Sequence, residues 1–203
     1  MSFADWHARR LRPPAPAAAR EVLTLTPTDA LEYDDDPVKD TPLLLIPDSA
    51  HEAQECEKLW MPRLAASAHE CAALNFRGKG ATPAGPRKSD LRAHDIVQTA
   101  ATLEHQAVLV AFADSALPVL EAATRYPAAG VVLLDPVLPD RDLPALVGSP
   151  RMCVVARETD VHEKAMARLR ERFDISPLTV GGGGDLYTGA QAEAAADAVI
   201  SWL

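Results

Sequence analysis

The chain has 203 residues, 48% of them hydrophobic, a formal net charge of −9 and a pI near 5.1. That length buries one good core, and that charge argues against a nucleic-acid partner, whose phosphates it repels. No apolar run approaches the roughly 20 residues that cross a bilayer, and none follows the basic N-terminus, so a soluble cytoplasmic protein without a membrane partner is expected.

Residues 3–11 read as a short amphipathic helix with Phe3, Trp6 and Leu11 near one face. PPAPAAA then breaks it, because proline blocks helix continuation and favours an extended spacer. Residues 1–20 are therefore expected to form an arm, and residues 21–203 a single domain. EVLTLT and ALEYD read as two short strands around Pro27, and DDDPVKD as a solvated acidic turn. From there strands and helices alternate. TPLLLIP is an apolar strand, followed by a helix over residues 52–67. ECAALNF is a strand, and after the RGKGATPAGP loop a helix covers residues 89–103. AVLVAF feeds a helix over residues 116–125, and GVVLLDP and RMCVVA are further strands. VHEKAMARLRERF is a helix, DISPLTV the closing strand and AQAEAAADAVISWL the terminal helix. Continuous apolar strands between amphipathic helices specify an α/β fold, with a mostly parallel sheet of about seven or eight strands covered on both faces.

Ligands on such sheets sit beyond the carboxyl ends of the strands. The loops that matter are therefore 47–52, 76–88, 111–116, 135–150, 156–162 and 180–189. GGGG at 181–184 lacks the glycine spacing of a dinucleotide site, and RGKGAT lacks the full phosphate-loop pattern. Both are better explained by glycine's access to positive φ, so no nucleotide or other cofactor is expected. Cys56, Cys71 and Cys153 are odd in number and widely spaced, which reads as reduced, buried thiols.

LLLIPDS, NFRGKGAT, VAFADSALPVLEAATRYP, VVLLDP and RETD, in that order, together resemble the α/β-hydrolase family over residues 21–203. The family's elbow reads G-x-S-x-G, and the spacing to RYP puts Ala111, Ala113 and Ser115 in its glycine, nucleophile and second glycine slots. By the same resemblance Asp160 matches the triad acid, and Asp185 is the residue best placed where the histidine belongs. Alanine has no atom with which to attack. Pro47-Asp48 stands where the family has His-Gly in its oxyanion loop, and a carboxylate there opposes a developing oxyanion. The resemblance thus implies the fold without ordinary serine-hydrolase chemistry.

Neighbouring residues offer candidate substitutes. Asp114 reads as a cap at a helix N-terminus or, with a shifted register, as an aspartate nucleophile. Ser115 reads as a packing or capping residue. His51 and His162 have positions from which they reach the sheet's mouth, whereas His69, His94 and His105 read as surface residues. Arg77, in the family's Arg-Gly-x-Gly loop, is implied to be structural, yet it is one of the few cations near the mouth. Pro47, Asp48, His51, Arg77, Phe112, Asp114, Ser115 and His162 are thus the expected pocket residues. Asp48, His51, Asp160 and Asp185 lack a local metal-ligand motif, so no metal is expected. About fifteen residues join Pro136 to Met152, too few for a helical lid, which leaves a shallow, open pocket. Three readings remain. One is a degenerate hydrolase-fold protein binding a small molecule or a protein partner. Another is a lyase, cyclase or isomerase using pocket carboxylates, and the third a hydrolase whose elbow serine has been substituted. Oligomeric state is not readable from the sequence.

Overall fold

The computed structural model describes residues 21–25, 39–84, 91–157, 163–181 and 184–203. The N-terminal arm, the strand expected at 30–34 and most of the acidic turn lie outside the described residues. Lys39 and Asp40, read as the end of that turn, begin a strand instead.

Seven strands are described: β1 Val22–Leu25, β2 Lys39–Ile46, β3 His69–Leu74, β4 Val108–Phe112, β5 Gly130–Leu134, β6 Arg151–Arg157 and β7 Leu178–Val180. They form one sheet in the order β1-β3-β2-β4-β5-β6-β7. β1 runs antiparallel to β3, and every other pairing is parallel. The helices are α1 Ala53–Cys56, α2 Trp60–Ala65, α3 Arg92–Ala100, α4 Ala116–Ala122, α5 Glu163–Phe173 and α6 Gly189–Trp202. This is the mostly parallel, two-faced sheet that the alternation specified.

Successive side chains on a strand point to opposite faces, so every central strand feeds two cores. Leu109 and Ala111 of β4 join a cluster with Ile96 of α3, Leu120 of α4 and Leu169 of α5. Val108, Val110 and Phe112 join the opposite cluster with Trp60, Leu64 and Val199. Cys56, Cys71 and Cys153 all lie in this second cluster as free thiols. Burial pushes Cys71 up to about 12, Cys153 to about 11 and Cys56 higher still. Thiols that remain protonated are not nucleophiles.

Two local expectations fail. The helix drawn over 52–67 is two helices, separated at residues 57–59. Pro62 has no N–H to give the carbonyl four residues back and its ring crowds that carbonyl, so it is accommodated only in the first turn of a new helix. His69, read as a surface residue, is buried at 3% exposure. Ala68 at φ 63 turns the chain straight from α2 into β3, so the strand begins at His69 rather than at Glu70.

Loop 77–84 confirms the permissive role of its glycines, with Gly78 at φ 82 and Gly80 at φ 50. A side chain at position 80 would also strike Glu21 and Asn75. The Glu21 carboxylate accepts from Asn75 Nδ2 at 2.7 Å, Ala81 N at 2.7 Å and Gln54 Nε2 at 3.3 Å. Asn75 Oδ1 in turn accepts from Ala53 N at 2.8 Å, at the start of α1. The Ala81 amide first, then Asn75, holds the Glu21 carboxyl below its ordinary 4.5. A lowered carboxyl contributes stability that is complete above the ordinary value and is lost as pH falls through the folded-state value. Glu21→Gln should therefore flatten the acid limb of the Tm–pH curve. Equal Tm losses in variant and parent between about pH 6 and about pH 3 would contradict this linkage.

Candidate functional site

The carboxyl ends of β2, β4 and β5 lie level, because Ile46 pairs with Ala111 and Phe112 with Leu134. Loops 47–51, 113–115 and 135–137 therefore leave the sheet side by side. Between β4 and α4 the chain makes one 3₁₀ turn, Ala113–Ser115, with Ala113 at φ 45. A non-glycine residue there costs about 1–2 kcal/mol, so the surroundings must hold it. Val137 N donates to Ala113 O at 3.1 Å, and the buried Ser115 hydroxyl donates to Pro47 O. Ser49 N donates to Asp114 Oδ1 at 2.8 Å. The loop after β2 is thus fastened to both residues that follow Ala113.

Asp114 does not cap α4, contrary to the reading as a helix cap. The 3₁₀ turn separates strand from helix, so Asp114 lies within the turn and its carboxylate reaches across to Ser49. Its other oxygen is 3.7 Å from Arg92. Ser115 packs at 0% exposure and binds the neighbouring loop.

The Asp48 carboxylate turns back on its own loop. Oδ1 accepts from Ala50 N at 2.8 Å, His51 N at 3.0 Å and His51 Nδ1 at 2.8 Å. Asp48 N donates to Tyr187 Oη at 3.0 Å. The Tyr187 ring, 1% exposed, stacks on Phe112 at 4.7 Å and lies 4.2 Å from His51. Trp60 and Phe112 pack in a T-shaped pair with ring centroids 5.1 Å apart. Burial pushes the Tyr187 phenol far above its usual range, so it stays neutral.

Asp185 is occupied locally. It accepts from Tyr187 N at 3.0 Å and Thr188 Oγ1 at 2.8 Å, forming the turn into α6. Asp160 and His162 lie outside the described residues. Arg77 is paired at 2.9 Å with Asp95, itself 1% exposed, and ties loop 77–84 to α3 rather than standing as a spare cation at the mouth. Among the described residues no three His, Cys, Asp or Glu side chains are grouped to hold a metal ion. No helix among them is long and apolar enough to cross a membrane.

Two residues escaped the sequence reading. The Tyr187 side chain left no local signal, since its ring and hydroxyl partners are 75 or more positions away in the chain. Asp135 left one: an acid directly after an all-apolar strand must find a cation. It is 1% exposed at φ 49, pairs with Arg157 Nε, and accepts from Arg157 N at 2.9 Å. Arg157 Nη1 also donates to Gly184 O at 3.2 Å, which ties the end of β5 to the loop before α6.

Residues 135–150 form no helix or strand, so the described residues include no substantial lid over the mouth. Two open cavities of about 490 and 440 Å³ lie where this connection meets α5. Leu143, Arg168 and Arg172 line the first, and Leu146, Met152 and Phe173 the second.

No family model matches the chain, and no curated protein matches it in sequence. Solved structures do match its fold. An α/β serine hydrolase homologue from Coxiella burnetii is 15% identical, with 94% of this chain and 95% of that one covered at a TM-score of 0.70. The ferulic-acid complex of Est1E from Butyrivibrio proteoclasticus is 12% identical, covering 90% and 93% at 0.66. A lidless α/β serine hydrolase from Xanthomonas campestris is 16% identical, covering 82% and 79% at 0.59. At such identities the shared property is the fold.

Proposed function

We propose that this chain, built on the α/β-hydrolase fold, is degenerate as a hydrolase and binds a small molecule at the open mouth of its sheet. The observation that carries this reading is the elbow itself. The strained turn that would present a nucleophile presents the Ala113 methyl. Two further features support it. The amides of Asp48 and Ser49, in the loop expected to receive an oxyanion, already donate to Tyr187 Oη and Asp114 Oδ1. Loop 181–188 contains no histidine, and its Asp185 is engaged in a turn. Oxyanion donors assist only when they are aimed at the reacting oxygen. Of the carboxylates that an acid–base reading would pair, Asp48, Asp114 and Asp185 each accept backbone N–H groups separately.

p-Nitrophenyl acetate and butyrate should not be cleaved faster than by free histidine at equal concentration. Ala113→Ser should remain inactive, because it restores an oxygen without a base or a free oxyanion loop. Adding Asp185→His should gain little, since it also removes the acceptor for Tyr187 N and Thr188 Oγ1. Steady-state kinetics on the parent and both variants decide the matter. Saturable turnover by Ala113→Ser alone would mean a working hydrolase lacking one atom, and the proposal would fall.

A further inference from the structure

We propose that the groove between the 135–150 connection and α5 is the docking site of this chain's own N-terminal arm, with the apolar stripe of residues 3–11 laid along it. The groove lies away from the mouth of the sheet, because Ser149, Pro150 and Met152, at the amino end of β6, line its lower cavity.

Neighbouring parallel strands are normally joined through a helix that covers the sheet beside them. β5 and β6 pair in parallel, yet residues 135–150 between them form no helix or strand. An irregular segment thus lies where a helix usually packs, and its Leu138, Leu143 and Leu146 reach the core only partly buried. The two cavities, of about 490 and 440 Å³, adjoin at Glu171 and Arg172, which line both. Leu143, Leu146, Met152 and Phe173 give the groove an apolar wall. Asp142, Glu171 and Asp174 also line it, and their side chains make no ion pair among the described residues. Its cations are already engaged. Arg168 donates to Pro139 O and lies 3.9 Å from Asp140, and the Arg172 guanidinium sits over the Phe173 ring at 6.0 Å. The unmet charge of the groove is therefore negative.

The arm supplies the complement. At helical spacing Phe3, Trp6 and Leu11 share one stripe, with Arg9 and Arg10 close to it and Asp5 the only acid among residues 1–20. In a chain of net charge −9 that basic segment is the exception. An amphipathic helix with apolar anchors is what an apolar groove takes, and arginines beside the stripe meet carboxylates on the wall. The lengths agree as well. Glu21 sits at the carboxyl end of β3, where its O accepts from Asn75 N at 3.1 Å. Five interstrand steps separate β1 from β6, about 24 Å at roughly 4.8 Å each. Residues 13–20, PPAPAAAR, span about 25 Å as an extended proline-rich spacer. A helix over residues 3–11 adds about 14 Å, close to the roughly 16 Å of α5. The docked arm provides the helix that the β5–β6 connection lacks.

Disulfide trapping in the full chain tests this, since Cys56, Cys71 and Cys153 are buried and do not compete. Ala4→Cys is combined with Ala145→Cys, in the lower cavity, or with Ala81→Cys as a control. Ala81 N donates to the Glu21 carboxylate, so position 81 stands at the root of the arm, where an undocked arm meets it at least as readily. Positions 81 and 145 are both exposed, so the fold tolerates either cysteine, and circular dichroism verifies it. Under copper-phenanthroline oxidation the groove pair should close an intramolecular disulfide about tenfold or more faster than the control pair, because docking raises the local concentration of the arm. Mass spectrometry reads the loss of two hydrogens and the linked peptides. Trp6→Ala should slow closure of the groove pair about tenfold, a modest share of what a buried aromatic contributes. Glu171→Arg should slow it about threefold, the worth of one exposed ion pair. Equal rates for the two pairs, or closure indifferent to Trp6→Ala, overturns the proposal. A disulfide-linked dimer as the main product of the groove pair overturns it too, since the groove then receives the arm of a second copy.

Discussion

Trp60→Ala should cost about 3–5 kcal/mol of unfolding free energy, the range for removing a fully buried aromatic. Trp60 is 0% exposed and holds two parts of the candidate site. Its ring packs T-shaped with Phe112, centroids 5.1 Å apart, and its Nε1 donates to Leu186 O at 2.7 Å, beside Tyr187. Truncation therefore leaves a cavity under the last residue of β4 and an unmatched carbonyl in the loop before α6. The urea midpoint should fall sharply with the m-value unchanged. Trp60→Phe should recover most of the packing but not the Leu186 bond, leaving a deficit of about 1–2 kcal/mol. A Trp60→Ala midpoint within error of the parent would show that the aromatic stack does not hold the site.

Arg157→Met should cost about 3 kcal/mol, by removing the guanidinium that pairs with the buried Asp135 carboxylate. The value is set at the low end for a buried pair because Arg157 is 29% exposed while Asp135 is 1% exposed. Asp135→Asn on the Arg157→Met background should return part of the loss, since asparagine can still accept from the residue-157 amide, as Asp135 does at 2.9 Å. A double-mutant cycle by urea denaturation measures the coupling. Additive single effects would mean that the ion pair contributes nothing beyond its separate contacts. Because Arg157 also donates to Gly184 O, the loop into α6 should lose amide protection in the same variant.

The elements most legible in the sequence were those set by local chemistry. The apolar runs LLLI, VLVAF and GVVLL are buried along their whole length, and only a sheet covered on both faces hides every side chain of a strand. Glycines 78 and 80 were legible because a positive φ excludes most other residues. The break between α1 and α2 was equally available in Pro62 but was masked by the apolar periodicity on either side. His69 misled for a related reason, since residue type suggests exposure until the turn at Ala68 decides where the strand begins.

The site divides along the same line. From sequence alone came the strand-to-helix turn at Ala113, the Asp48 loop facing it and the absence of histidine from loop 181–188. Tertiary structure alone decided where the polar groups point. Asp114 turned from helix cap to partner of Ser49, Asp185 closed a turn, and Tyr187 came 139 positions along the chain to accept from Asp48 N. Hydrophobic periodicity is a repeating signal, reinforced at every residue of an element, so the chain announces it. A hydrogen bond between distant loops depends on one atom meeting another, and only the folded sheet brings those loops level.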